Sequence, residues 1–192
     1  MKTHGDGEVL IASTAKVAKS VRLLGRGRVV IGPYCVVEDH VLLDTGNNRN
    51  STIKLGPRTK LKYGAVLRTY DGSVSIGART SVGEYSILAG HGGLTLGSAV
   101  IVAGHCYFSA ADHIFESNIP VRFQGETARG IEVEDGVWFG ARCVVLDGTR
   151  VGNGAIVAAG SVVTSDLGAG MLCIGTPCKE IRPRGQNKPN NW

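Results

Sequence analysis

The stretch VEDGVWFGARCVVLDGTRVGNGAIVAAGSVV, residues 133–163, decides the fold. Every sixth residue is large and apolar: Val133, Phe139, Val145, Val151, Val157 and Val163. Four places after each stand Val137, Cys143, Thr149, Ala155, Ser161 and Leu167, mostly small or β-branched. An amphipathic helix would space its apolar residues by three and four, and a half-exposed strand would alternate by two. A fixed period of six is neither. It fits a solenoid in which each hexad is one short strand plus a corner, so that three hexads close a triangular coil.

The same period extends toward the N-terminus. Ile11, Val17 and Leu23 form a first triplet of inward anchors, followed by Ile31, Val37, Leu43 and by Leu55, Leu61, Leu67. Ile76, Val82, Leu88 and then Leu96, Val102, Phe108 lead into the clear stretch. The first anchors, at 11, 31, 55, 76, 96, 133 and 151, are separated by 20, 24, 21, 20, 37 and 18 residues. Every interval is one coil plus an insertion. The expected fold is all-β, a parallel β-helix of about seven triangular coils stacked at the ordinary strand separation of about 4.8 Å. A two-sheet sandwich does not account for the period. The expected division is a lead-in at residues 1–10, the helix at 11–170, and an extension and frayed tail at 171–192.

Composition agrees. The chain has 192 residues, enough for one domain with a core, and its 28 glycines and 6% aromatics suit a backbone that turns often. No apolar run reaches the roughly 18–20 residues that span a bilayer, and the first residues lack the apolar centre of a signal peptide. A cytoplasmic location is therefore expected. Five cysteines without a C-x-x-C pair read as reduced packing residues rather than zinc ligands or disulfides. The net charge of +5 is spread along the chain and not interleaved with aromatics, which disfavours nucleic acid and favours a small anionic ligand.

The insertions carry the chemistry. Asp44–Lys54 is a polar, turn-rich excursion. The interval of 37 places a long loop between coils five and six, over residues 109–132. Such a loop on a rigid scaffold is more often functional than not. It holds His113, beside Asp112. On residue type alone His113 reads equally as a general base or as an exposed loop histidine. His91, in a glycine-rich corner, counts onto the same edge as the start of that loop; His105 counts onto another. Trp138 precedes anchor Phe139 and must point outward, which fits a ligand or a subunit interface better than a core. Lys179 and Arg182 form a cationic pair past the last coil, suited to a phosphate.

These residues are similar to a known family. Val137-Trp138-Phe139-Gly140-Ala141, Gly160-Ser161-Val162-Val163-Thr164 and Gly175-Thr176-Pro177-Cys178-Lys179-Glu180-Ile181-Arg182 resemble the C-terminal motifs of the left-handed β-helix (hexapeptide-repeat) acyltransferases. Gly90-His91-Gly92-Gly93, Asp112-His113, Asn118-Ile119-Pro120 and Gln124-Gly125 resemble the branch that O-acetylates sugars and surface polysaccharides. The resemblance implies a left-handed coil, a homotrimer, and acetyl-CoA as co-substrate in a groove between subunits. It matches His113 to the family's loop histidine and Trp138 to a tryptophan at the acetyl-transfer site, with His91 nearby. Ala141, Ala159 and Thr164 match contacts to the pantetheine arm, and Lys179 and Arg182 match basic residues near the nucleotide phosphates. The family often has Thr-Lys-Asp where this chain has Thr164-Ser165-Asp166, so one cation is absent. The implied activity is direct transfer of an acetyl group to a hydroxyl of a sugar or polysaccharide, with His113 as general base and no metal. The rivals are an N-acetyltransferase of nucleotide-linked amino sugars, a zinc carbonic anhydrase of the same fold using His91, His105 and His113, and a non-catalytic scaffold.

Overall fold

A computed structural model describes residues 2–186, leaving the remainder of the expected tail outside the described residues. Strands wind in a repeating order onto three parallel sheets, the faces of a triangular prism. The first face contains the strands that end on Ile11, Ile31, Leu55, Ile76, Leu96, Val133 and Val151. The second face carries those ending on Val17 through Val157, and the third those containing Leu23 through Val163. Seven complete coils result. A strand at Lys2–His4 adds to the third face, Leu167 bridges to Val151 on the first, and Met171–Ile174 extends the second. The stack therefore runs to about eight turns rather than seven, because part-coils extend both ends. The coil is left-handed, and the chain ends its described part in an antiparallel hairpin of Met171–Ile174 with Lys179–Pro183.

Anchors stack on anchors. Phe108 and Val145, Leu67 and Leu88, and Val145 and Val163 pair across neighbouring coils, and all of them are buried. The one exception is at the open end: Ile11 is exposed and Val17 only half-buried, because no coil covers them from below. The slot four places on is buried too, with Cys35, Cys106, Cys143 and Ala155 filling it in their coils. Where it holds a hydroxyl, the backbone of the next coil satisfies it. Thr80 Oγ1 donates to Gly97 O at 2.7 Å and accepts from Val100 N at 3.0 Å. A buried hydroxyl so bonded replaces an apolar group at little cost.

At most corners the third residue after the anchor lies in the left-handed backbone region. Glycine takes that slot at Gly64, Gly136 and Gly160, but Tyr34, His40, Arg58, Tyr70, Arg79, Tyr85, Ala99, His105 and Arg142 take it as well, with φ between 55° and 61°. Residues with a side chain pay a penalty there, which the coil-to-coil hydrogen bonds on either side hold in place, as when Arg142 N donates to Gly104 O at 3.1 Å. All five cysteines are free and buried, as expected, and burial pushes the Cys173 thiol up to about 12. No helix of the described residues is long and apolar enough to cross a membrane.

Phe139 is fully buried, edge-on to Phe108 with centroids 5.1 Å apart. Phe139→Ala is expected to lower the unfolding free energy by about 3–5 kcal/mol in denaturant titration. Trp138→Ala, one residue away and pointing outward, is expected to cost less than about 1 kcal/mol.

Candidate active site

The long loop leaves the third face after Ser109 and returns at Ile131. Its stem is a two-residue antiparallel ribbon, Asp112–His113 against Glu126–Thr127, with His113 directly opposite Glu126. The tip is riveted by Gln124, whose Nε2 donates to Ser117 O and Ile119 O at 3.0 and 2.6 Å and whose Oε1 accepts from Ser117 N at 3.0 Å.

The root of the loop is fastened by Asp147, a residue for which the hexad pattern gives no signal because it sits in a corner. Its carboxylate accepts from Arg129 N and Gly130 N at 2.9 and 2.8 Å and from Thr127 Oγ1 at 2.9 Å, with the Arg129 guanidinium at 3.3 Å. The Asp147 side chain is 1% exposed. Burial alone would push its pKa up, but the donors from Arg129, Gly130 and Thr127 outweigh it and hold the carboxyl below its ordinary value. A buried carboxylate satisfied this fully is a strong local clamp.

His113 is exposed, and its Nδ1 lies 3.5 Å from Glu126 Oε1. That is a polar contact, slightly long for a hydrogen bond. Glu126 is the acidic neighbour of the histidine, one that fixed spacing along the chain did not reveal because the ribbon creates it. His113, Glu126 and Asp112 share a cavity of about 240 Å³ with His91, Tyr107 and Ser109, so the edge shared by the third and first faces does bring His91 and His113 together. His91 stacks on Tyr70, centroids 3.7 Å apart and planes 17° from parallel. Its Nδ1 is buried without a partner. Burial lowers the His91 pKa, against the pull of Glu126, Asp71 and Asp147, and so favours the neutral ring. An unpartnered buried nitrogen is better tolerated as a bare acceptor than as an orphaned N–H, which leaves the Nε2–H tautomer. His105 stacks on Tyr85 on a different edge, so the three histidines of a zinc reading do not converge.

Trp138, 49% exposed, stands on the second face beside a groove of about 470 Å³. Ala141 and Ala159 line it at the corner, together with Ile156, Leu172 and Ile174 and the two arginines Arg182 and Arg184. Gly140 keeps it open at the backbone: a Cβ there would sit 2.4 Å from Ala159 N. Arg184 was expected in the frayed tail, yet its amide donates to Gly170 O at 2.6 Å and it lines the groove. Two expected contacts are not in this groove. Lys179 begins the last strand away from it, and Thr164 follows the third face, on the same edge as His113. An apolar trough with small-residue walls and two guanidinia fits a thioester-bearing pantetheine arm with a phosphate end.

The two cavities share no residue within one copy. They flank the third face, whose outward side chains form a continuous apolar stripe through paired strands: Leu42, Val66, Ile87, Tyr107, Val144 and Val162. From the third coil upward the corresponding positions of the first face are Lys54, Ser75, Thr95, Glu132 and Arg150, with Leu10 and Val30 below them. One side of the prism is built for contact and another for water.

Residues 130–165 match the family described as Bacterial transferase hexapeptide (six repeats). With the three stacked sheets, this match places a hexapeptide repeat within a left-handed parallel β-helix fold. Among curated relatives the chain is 54% identical over 56 residues to a 2,3,4,5-tetrahydropyridine-2,6-dicarboxylate N-acetyltransferase of Staphylococcus aureus (strain Newman), a match covering 29% of this chain and 23% of that protein. In fold it resembles the polysialic acid O-acetyltransferase OatWY, with a TM-score of 0.78 at 19% identity over 99% of this chain and 93% of that one. It also resembles a hexapeptide-repeat acetyltransferase of Vibrio cholerae complexed with acetyl coenzyme A, with a TM-score of 0.60 at 24% identity over 68% and 70% of the two chains.

Replacing Asp147 by Ala is expected to cost about 1.5–3 kcal/mol and to expose the loop to protease. Because the native carboxyl titrates below its unfolded value, its contribution is present at neutral pH and is lost as pH falls below the ordinary aspartate value of about 3.9. Urea melts of the parent and Asp147→Ala should therefore converge in strong acid.

Proposed function

We propose that this chain is an acetyl-CoA-dependent O-acetyltransferase that acts as a homotrimer on a hydroxyl of a sugar or polysaccharide. The observation that carries the reading is the pair of complementary half-sites. One holds a base without a cofactor groove, and the other holds a groove without a base. The apolar third face between them supports assembly with that face inward, so that the groove of one copy meets the His113 edge of the next. Thr164 then reaches the groove from the neighbouring copy, which accounts for its place outside it in a single chain. The OatWY likeness is one of fold, and it agrees with a sugar-polymer acceptor.

In this reading acetyl-CoA lies along the trough beside Trp138, its pantetheine arm against Ala141 and Ala159 and its phosphates toward Arg182 and Arg184. The acceptor hydroxyl approaches the thioester carbonyl from the side of His113. Glu126, at the Nδ1 side, leaves Nε2 to take the hydroxyl proton and steadies the imidazolium that forms. The oxygen forms the new ester bond as the C–S bond breaks, and the thiolate leaves with the proton that His113 returns. The Nε2–H of neutral His91, in the same cavity, donates to the acceptor or to the oxyanion. Ser109 shares the cavity but its hydroxyl donates to Ala111 O at 3.0 Å, and the five cysteines are buried, so transfer is direct within a ternary complex.

A second reading is N-acetylation of a nucleotide-linked amino sugar; the N-acetyltransferase relative favours its nitrogen acceptor, not the sugar. The two are separated by following acetyl-CoA consumption with hydroxyl and amino acceptors side by side. His113→Ala is expected to lower kcat by about 10²–10⁴-fold in a trimer that still binds CoA by calorimetry. Glu126→Gln is expected to lower it less, with KM for acetyl-CoA unchanged. A folded His113→Ala trimer with near-normal turnover would remove the proposed base.

A further inference from the structure

The edge between the second and third faces carries an unbroken ladder of exposed rings, one per coil. His40 lies 5.2 Å from Tyr63, Tyr63 lies 5.5 Å from Tyr85, and Tyr85 stacks on His105 at 5.4 Å, all between ring centroids. Tyr63 and Tyr85 are each roughly half exposed, and none of the four is needed by the core. The backbone is shaped to hold them. His40, Tyr85 and His105 occupy the left-handed corner slot despite its penalty, and a Cβ on Gly64 would sit 2.8 Å from the Tyr85 ring. Four water-exposed rings in register on one edge of a rigid prism are an unpartnered contact surface.

The place of the ladder identifies its occupant. On the same edge, one and two coils above His105, lie Ala141 and Ala159 of the cofactor groove. On one side of it is the apolar stripe of the third face, and across that face is the edge carrying Tyr70, His91 and His113. In a closed threefold ring each copy must offer one edge of its inward face to one neighbour and the other edge to the next. We infer that the ring ladder of one copy docks on the His91–Tyr70 edge of the adjacent copy, forming the lower part of the seam whose upper part is the active site. The ladder positions the cofactor groove of one chain against the base of the next. It touches no reacting atom and acts through alignment, as a positioning element. This inference rests on the proposed shared site and adds the contact that aligns it.

All five native cysteines are buried, so an introduced surface thiol can be labelled selectively. Tyr63→Cys on the ladder and Thr95→Cys on the polar first face are labelled with a maleimide in the assembled protein. Tyr63→Cys is expected to react more than about tenfold more slowly than Thr95→Cys, and dilution to monomer should abolish the difference. The double variant Tyr63→Ser/Tyr85→Asn keeps an asparagine in the left-handed slot. By sedimentation it is expected to dissociate at concentrations where the parent is trimeric, with unchanged circular dichroism. Its specific activity should rise with protein concentration toward the parental value, which loss of a chemical group would not produce. Equal labelling of the two thiols in a trimer overturns the inference. So does a double variant that stays trimeric and fully active on dilution, or a parent chain that is monomeric. A trimer that protects Tyr63→Cys but acetylates no acceptor keeps the seam and removes the enzymatic reading. An active trimer that leaves Tyr63→Cys reactive does the reverse.

Discussion

Each coil hydrogen-bonds to the coil above through its main chain, and this coil-to-coil registry is the constraint from which the rest follows. Glu132 N donates to Thr149 O at 3.0 Å, Trp138 N to Ala155 O at 3.0 Å and Val144 N to Ser161 O at 2.9 Å, one bond on each face passed to the same slot a coil later. A parallel stack of this kind tolerates no slip, since one residue out of step would turn every anchor to solvent. Insertions are therefore expelled to corners, and the long loop sits at one. The scaffold supplies rigidity and the excursions supply chemistry.

Much of this was legible in the residues because the inward slots repeat without error. The anchors from Ile31 to Val163 and the small residues four places on are the buried ones, and the interval of 37 marks the loop. The pairing of His91 with His113 was also legible, since both count onto one edge. What was not legible arises from contacts between elements rather than along them. Glu126 meets His113 only through the ribbon, and Asp147 closes the loop from the coil above. Neither carries a spacing signal. The first triplet reads like the others, yet Ile11 stays exposed, since burial at an end depends on a neighbour that periodicity cannot supply. The extra turn escaped for a related reason: its parts at Lys2–His4 and Met171–Ile174 are incomplete coils without a full triplet.

The electrostatics follow the same division between scaffold and excursion. Asp147 is buried, paired and structural. Glu126 and His113 lie in the open, where their mutual orientation is held by the short ribbon and where water competes for both. A base kept accessible on a stem fastened by a buried clamp has a fixed point of departure. The groove at Trp138 has the opposite character, with apolar walls, small residues and backbone close at hand. Its shape is set by strands, and its charge is confined to Arg182 and Arg184.

The corner slots hold one further implication. Their backbone takes the same left-handed turn whether the residue is glycine, tyrosine, histidine or arginine, so the fold reads nothing of the side chain mounted there. Those positions are a row of free letters along each vertical rib of the prism, with identity left to outside demands alone. Chains sharing this interior can thus acquire mutually exclusive partners by rewriting a single rib, and several such species can coexist in one compartment without mixing their subunits.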